Sequence, residues 1–219
     1  LGVVVDLAPD GVTRCIEQAG IGFCFAPRFH PALRHAARAR RELGVATTFN
    51  FLGPLVNPAG ARRQALGVSD PAMAERLAQV LGRLGTERAL VFFGHDGLDE
   101  LTTTTTSTIL ELAAGEVRTS TFDPADLGLA RAEPGSLVGG DPAHNAAVAI
   151  RVLDGEPGPV RDLVLLNAAA GITAAGLASD LASALEAARR SIDDGRAKAS
   201  LAALVESSVE AARTPAEHP

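Results

Sequence analysis

Residues 88–100 read RALVFFGHDGLDE. The run from Arg88 to Phe93 is largely apolar and is bounded by turn residues, which is typical of a strand buried on both faces of a parallel sheet. The glycine-containing segment at residues 94–97 predicts a loop at the end of this strand. Because ligands of open α/β sheets bind beyond the carboxyl ends of the strands, this loop is a candidate site.

Helical and extended patterns alternate on both sides of this strand. Upstream, residues 64–68 predict a short strand, and Asp70 followed by Pro71 predicts the start of a helix. Downstream, residues 107–113 and 117–122 predict a β-hairpin, because two extended runs flank a glycine turn. Further helices are predicted toward the end of the chain.

This alternation predicts the α/β class, with a mostly parallel central sheet flanked by helices, to which the hairpin adds antiparallel strands. We expect one domain over residues 1–213 and a disordered tail over residues 214–219. With 219 residues the chain can bury a substantial core. It contains no Trp, no Tyr and only eight Phe, so that core must consist mainly of Ala, Val, Leu and Ile.

Charge and composition exclude some classes of protein. The formal net charge of −6 argues against nucleic acid as a partner, since nucleic-acid binders usually carry a basic excess. No run of about 18 apolar residues occurs, so we expect no membrane span. Cys15 and Cys24 lie among apolar neighbours outside any metal-binding spacing, which predicts two buried thiols in a cytoplasmic protein.

Asp99 and Glu100 end the opening stretch as adjacent carboxylates. Magnesium prefers oxygen ligands and is commonly held by one or two carboxylates together with substrate phosphates. An acidic pair at the end of a buried strand therefore predicts a Mg²⁺ site. Two solvated loop acids remain the alternative interpretation.

Arg40 occupies an unusual position in a helix predicted over residues 31–43. It falls on the apolar face formed with Leu33, Ala36 and Ala37. A guanidinium on an inward face needs an anion, and its planar fork matches a carboxylate ligand. The alternative is a side chain that extends to the surface and pairs with a nearby Glu.

Two segments around this helix contain further candidates. Pro27 stiffens the approach to the helix, and His35 is either an acid–base group or a structural histidine. Gly53 follows a strand predicted over residues 45–51 and permits close approach of the backbone. It fits the wall of a substrate pocket and a structural turn equally well.

Taken in series, five segments resemble anthranilate phosphoribosyltransferase. They are GIGFCFAPRFHPALRHAARARRELG (20–44), TFNFLGPLVNPA (48–59), GHDGLDELTTTTTSTI (94–109), LVGGDPAHNAA (137–147) and LLNAAAGI (165–172). The resemblance implies the catalytic domain shared by nucleoside phosphorylases and phosphoribosyltransferases. It also implies transfer of a phosphoribosyl group from phosphoribosyl diphosphate to anthranilate, in tryptophan biosynthesis.

The resemblance assigns roles to individual residues. It implies no catalytic side chain, because positioning and a metal ion would carry the reaction, and it implies a homodimer for the full-length protein. The magnesium ligands would be Asp99 and Glu100. The residues implied to bind anthranilate are Arg40, Pro27, His35 and Gly53.

One departure from the family is large. Its Gly-rich GTGGD loop, which holds the donor phosphates, does not occur in this sequence, and we expect it upstream of Leu1 together with most of the N-terminal helical domain. The chain then corresponds to a truncated, C-terminal portion. Three alternatives stay open: a pyrimidine-nucleoside phosphorylase-like enzyme, a nucleic-acid-binding paralogue, and a non-catalytic remnant that lacks the donor-phosphate loop.

Overall fold

Helices and a small sheet make up the fold, which is given by a computed structural model that describes residues 1–31, 42, 44 and 49–213. The helices are α1 (Pro9–Ala19), α2 (Ala26–Phe29), α3 (Phe49–Leu52), α4 (Pro71–Arg83), α5 (Pro142–Leu153), α6 (Pro159–Ala174), α7 (Leu181–Asp193) and α8 (Arg196–Arg213). The strands are β1 (Arg63–Gly67), β2 (Arg88–Gly94), β3 (Ser107–Ala113) and β4 (Glu116–Phe122). Short 3₁₀ turns cover Gly53–Leu55, Pro124–Leu127 and Pro134–Leu137.

The chain divides into two compact units. The first unit consists of Leu1–Gly60 with Arg196–Pro219, and the second unit consists of Ala61–Gly195. The single domain predicted over residues 1–213 stays a prediction. The tail predicted over residues 214–219 lies outside the described residues.

In the first unit, α1 packs against α8. Their apolar faces meet in a core of Leu7, Val12, Cys15, Leu204 and Ala211. Helix α1 begins at a proline and ends at a glycine with a φ of 73°, both of which suit the ends of a helix. Both cysteines are free thiols, but only Cys15 is buried and Cys24 is half-buried, so the prediction of two buried thiols is half right.

The second unit contains a four-stranded sheet in the order β1-β2-β3-β4. Strand β2 pairs in parallel with β1 and antiparallel with β3, and β3 pairs antiparallel with β4. The α/β class is confirmed, but the expectation of a mostly parallel sheet is wrong for the part of the chain described. The reason is that residues 95–106, all described, return from β2 to β3 without the crossover helix that a parallel pairing needs.

Helices cover this sheet on the strands that carry the site. Helix α4 packs against β2 and β3, and helix α6 packs against β1 and β2. Strand β2 is consequently buried, with Ala89 and Val91 fully inaccessible. The Asp70 side chain accepts the N–H of Ala72 at 3.0 Å and so begins α4 where the sequence predicts it.

One predicted strand and one predicted helix have a different outcome. The strand predicted over residues 45–51 is wrong at its described end, because Phe49–Leu52 is helical. Such short apolar runs contain too few residues for their period to distinguish strand from helix. Most of the helix predicted over residues 31–43 lies outside the described residues. Within the described part of the chain, no helix is both long enough and apolar enough to cross a bilayer.

Candidate metal site at the end of strand β2

The acid pair lies in the loop that joins β2 to β3. Strand β2 ends at Gly94, and the loop over residues 95–106 carries Asp99 and Glu100 with exposed side chains. The predicted location of the pair, beyond the carboxyl end of a buried strand, is therefore confirmed. Its predicted role depends on how the loop is held.

Asp96 holds the first half of this loop. Its carboxylate accepts a hydrogen bond from the Thr102 hydroxyl at 2.6 Å, one from the Thr104 hydroxyl, and one from the N–H of Leu98 at 3.1 Å. Partial burial pushes the pKa of Asp96 upward, but these donors outweigh it and hold the pKa below its ordinary value. The threonine run over residues 102–106 thus bends around one carboxylate.

Replacing Asp96 with Asn is expected to lower the free energy of unfolding by about 1 kcal/mol at pH 7, because one oxygen acceptor becomes a donor. Since the folded-state pKa is lowered, the carboxylate stabilises the fold above the unfolded pKa of about 4, and this stabilisation is lost as the pH falls through the folded pKa. Urea unfolding at pH 7 and pH 3 should show the difference from the parent shrinking in acid. The matched control is Asp126→Asn, outside the loop; a difference independent of pH would contradict the role of Asp96.

Two glycines allow the loop to lie close to the sheet. A Cβ added to Gly67, the last residue of β1, would stand 1.6 Å from the carbonyl oxygen of Asp99. A Cβ added to Gly94 would stand 2.4 Å from Oδ1 of Asp96. Real Cβ atoms do not approach other atoms this closely. Gly67 faces a backbone atom and therefore requires glycine for space, whereas a side chain at Gly94 would have to displace the Asp96 carboxylate.

Asn167, on α6, holds the second half of the loop. Its Oδ1 accepts the N–H of Leu101 at 3.0 Å, and its Nδ2 donates to the carbonyl oxygen of Leu101 at 2.8 Å. The same Nδ2 also donates to the Leu163 carbonyl oxygen at 3.0 Å and to Oε2 of Glu100 at 3.4 Å. The residue that follows the acid pair is thereby tied to a helix that packs on the sheet.

The electrostatics of the pair favour a cation. Partial burial of the carboxyl and, second, the adjacent charge of Asp99 raise the pKa of Glu100. A divalent ion would relieve this repulsion, and the exposed position of both residues in the loop leaves room for water and phosphate oxygens as further ligands. No group of three or more His, Cys, Asp or Glu side chains suited to a metal occurs in the described ranges. The chemistry of this donor set therefore fits Mg²⁺ held partly by substrate, and not a metal enclosed by protein.

The other predicted residues lie elsewhere or are not described. Pro27, in α2, is exposed, and Gly53 begins a 3₁₀ turn and is exposed as well. Both belong to the first unit, whereas Asp99 and Glu100 belong to the second. Among the described residues, no atom lies within 4 Å of a Cβ added to Gly53, so no described neighbour explains the glycine. Arg40 and His35 lie outside the described residues.

Sequence reasoning missed several residues that hold the site. Asp96 and Thr102 lie inside a quoted segment, and an acid followed by a run of hydroxyl side chains is a usable signal for a bonded loop. Asn167 also lies inside a quoted segment, where a lone amide in an apolar helix indicates a buried polar contact. The requirement for glycine at position 67 could not be predicted, because no neighbouring residue indicates that the backbone of Asp99 passes over the end of β1.

The family model described as "Glycosyl transferase family, a/b domain" matches residues 1–198. The chain belongs to this glycosyl transferase family.

Relatives within the family make the comparison more specific. The anthranilate phosphoribosyltransferase of Moorella thermoacetica is 54% identical over 205 residues, covering 94% of this chain and 60% of that protein. The enzyme of the same name from Thermobifida fusca is 54% identical over 213 residues, covering 95% and 61%. The resemblance drawn from the five segments is confirmed, and the chain spans about 60% of the length of these relatives, their C-terminal part.

Solved structures agree with the sequence comparison. The crystal structure of anthranilate phosphoribosyltransferase from Thermus thermophilus matches with a TM-score of 0.86 at 43% identity, over 97% of this chain and 62% of that chain. The enzyme from Saccharomyces cerevisiae in complex with PRPP and Mg matches with a TM-score of 0.88 at 26% identity, over 95% and 60%. The same yeast enzyme in complex with 4-fluoroanthranilate matches with a TM-score of 0.87 at 25% identity, over 95% and 61%.

Proposed function

We propose that the protein containing this chain transfers the phosphoribosyl group of 5-phosphoribosyl 1-diphosphate to anthranilate, in tryptophan biosynthesis. The products are N-(5-phosphoribosyl)anthranilate and diphosphate. The observation that carries the proposal is the identity of 54% with an anthranilate phosphoribosyltransferase over 94% of this chain. The exposed acid pair beyond the end of β2 supports the proposal, because the diphosphate of the phosphoribosyl donor needs a divalent cation and the pair can bind one.

Mg²⁺ is the proposed cofactor, held by Asp99 and Glu100. When bound, it supplies positive charge to the diphosphate as the bond from the anomeric carbon to the leaving oxygen breaks. The loop contributes two oxygen ligands at a fixed position, because Asp96 and Asn167 restrain the backbone before and after the pair. The yeast relative in complex with PRPP and Mg supports this use of the site.

Arg40 is proposed to bind the carboxylate of anthranilate, with Pro27, His35 and Gly53 lining the same pocket. A bidentate pair would orient the substrate so that its amine nitrogen attacks the anomeric carbon. The nitrogen–carbon bond forms, the carbon–oxygen bond to diphosphate breaks, and the amine loses a proton. A side chain acting as nucleophile is not needed, so positioning and charge carry the reaction.

Replacing Arg40 with Ala is expected to raise the KM for anthranilate by about 10- to 100-fold, because a charge-assisted pair contributes about 1.5–3 kcal/mol. The KM for phosphoribosyl diphosphate should change little. Steady-state kinetics of the complete gene product, followed by the fluorescence of anthranilate, measures both constants. The matched control is Arg41→Ala, because the helical period predicts that Arg41 lies off the apolar face that includes Arg40. Equal effects of the two substitutions would remove the role of Arg40.

The rival functions are separated by assays on the same preparation. Phosphorolysis of thymidine without turnover of anthranilate would indicate the nucleoside phosphorylase, and a salt-dependent mobility shift with DNA would indicate the nucleic-acid-binding paralogue. Absence of all three activities from a folded gene product would indicate the non-catalytic remnant. We further propose a cytoplasmic location and a homodimer for the complete protein.

A further inference from the structure

Asn167 contacts the acid-pair loop from a helix that is distant in sequence, since 66 residues separate it from Leu101. We propose that Asn167 is a positioning residue that holds the Glu100 carboxylate where it can bind the divalent cation. This inference rests on the proposed function, because it concerns the same metal site. It assigns a role to a residue that does not itself contact the substrate or the metal.

Asn167 holds the backbone of the residue that follows the acid pair. Leu101, the residue directly after Glu100, is fully buried, so its N–H and carbonyl groups need partners inside the protein. One side-chain amide supplies both partners, at 3.0 Å and 2.8 Å, in the way a neighbouring strand would. The peptide that joins Glu100 to Leu101 is therefore held through the Leu101 N–H, and the following peptide through the Leu101 carbonyl oxygen.

The side-chain amide of Asn167 is also bonded to its own helix. Its nitrogen also donates to the carbonyl oxygen of Leu163, one turn earlier on the same helix, at 3.0 Å. Leu165 and Leu166, beside it on α6, are 1% and 0% exposed, so the helix is firmly packed. One of the bonds that orient the amide therefore comes from α6 itself and does not depend on the loop, which is a property required of a positioning group.

The amide of Asn167 also contacts the carboxylate of Glu100. Nδ2 of Asn167 lies 3.4 Å from Oε2 of Glu100, which is a long hydrogen bond. The two protons of this nitrogen are shared among Glu100 and the carbonyl oxygens of Leu101 and Leu163. This contact directs one oxygen of Glu100 toward α6. Among the residues that the structure describes, the other oxygen and the carboxylate of Asp99 have no hydrogen-bond partner, so both can bind a cation.

A purely structural role is the competing explanation, and the chain contains a matched case of it. Asn145 makes the same two-sided contact with the backbone of Gly140, accepting its N–H at 2.8 Å and donating to its carbonyl oxygen at 3.0 Å. Gly140 lies in a loop outside the acid pair. If Asn167 only held a backbone segment, its replacement would act like that of Asn145. Both replacements would then lower local stability and leave the metal requirement unchanged.

The test compares Asn167→Ala, Asn167→Ser, Asn145→Ala and Glu100→Gln with the parent, in the complete gene product. Serine keeps a small polar group on α6 but is too short to reach the carboxylate, so it serves if the alanine variant folds poorly. Binding of Mn²⁺ is followed by electron paramagnetic resonance in the presence of phosphoribosyl diphosphate. The Mg²⁺ concentration giving half-maximal rate and the KM for anthranilate at saturating Mg²⁺ are measured in parallel.

Both Asn167 variants are expected to weaken Mn²⁺ binding and raise the Mg²⁺ requirement about tenfold or more, with the KM for anthranilate unchanged. Asn145→Ala should leave the metal requirement at the parent value. If Glu100→Gln shifts the metal requirement and the Asn167 variants do not, Asn167 is only structural and the inference is overturned. If Glu100→Gln shifts nothing, the acid pair is not the metal site, and the proposed metal site fails together with the inference.

Discussion

A single methyl group at Gly67 is expected to lower the free energy of unfolding by about 3 kcal/mol or more. A Cβ there would stand 1.6 Å from the carbonyl oxygen of Asp99 and 2.7 Å from its carbonyl carbon. Both are backbone atoms, so no side-chain rotation can relieve the clash. Either β1 or the loop must move, and movement of the loop displaces the acid pair.

Urea unfolding of Gly67→Ala, followed by far-ultraviolet circular dichroism, measures this loss. The matched control is Gly171→Ala in α6, where no described atom lies within 4 Å of the added Cβ. Because alanine favours a helix interior, the control should be neutral or more stable by about 0.5–1 kcal/mol. If the two variants lost equal stability, the close passage of Asp99 over the end of β1 would be contradicted.

Replacing both members of the acid pair, as Asp99→Asn with Glu100→Gln, is expected to lower kcat by about 100-fold or more in the complete gene product. Each single variant should raise the Mg²⁺ concentration needed for half-maximal rate. The physical reason is that amide oxygens carry no charge and hold Mg²⁺ far less strongly than carboxylates do. The test is the activity of each variant across a Mg²⁺ titration. Titration curves that coincide with that of the parent would refute the assignment of Asp99 and Glu100 as metal ligands.

Loss of stability cannot explain the effect expected for Glu100→Gln. Since the pKa of Glu100 is raised in the folded state, its ionisation costs stability as the pH rises through that pKa. Glu100→Gln should therefore be at least as stable as the parent at pH 7 without metal, and equal to it in acid. The control for general charge removal is Glu75→Gln on α4, where the carboxylate accepts only a surface contact from Gln79 at 3.2 Å among the bonds described.

Local patterns in the sequence were sufficient for the elements around the site. The apolar run before Gly94 predicted β2, and the glycine turn between two extended runs predicted the hairpin of β3 and β4. The position of Asp99 and Glu100 followed from these two predictions. Each depends on neighbours within a few residues, which is the range over which period and turn chemistry carry information.

What the sequence could not supply are contacts made across long stretches of chain. Nothing near Leu101 indicates that an amide on α6 would satisfy its backbone, and nothing near Gly67 indicates that Asp99 would pass 1.6 Å from a Cβ placed there. The direction of β3 relative to β2, on which the expectation of a mostly parallel sheet failed, is a related case. That direction depends on whether the segment after β2 contains a crossover helix, and residues 95–106 contain none.

The tie between α6 and the loop also has a consequence for the order of folding. Strands β2, β3 and β4 are neighbours in sequence and pair as a meander, so their contacts close short loops and can form early. The bonds from Asn167 to Leu101 span 66 residues and must wait until α6 has docked on β1 and β2. The carboxylates reach their final arrangement late, so a nascent chain whose sheet has already formed would still lack a finished metal site.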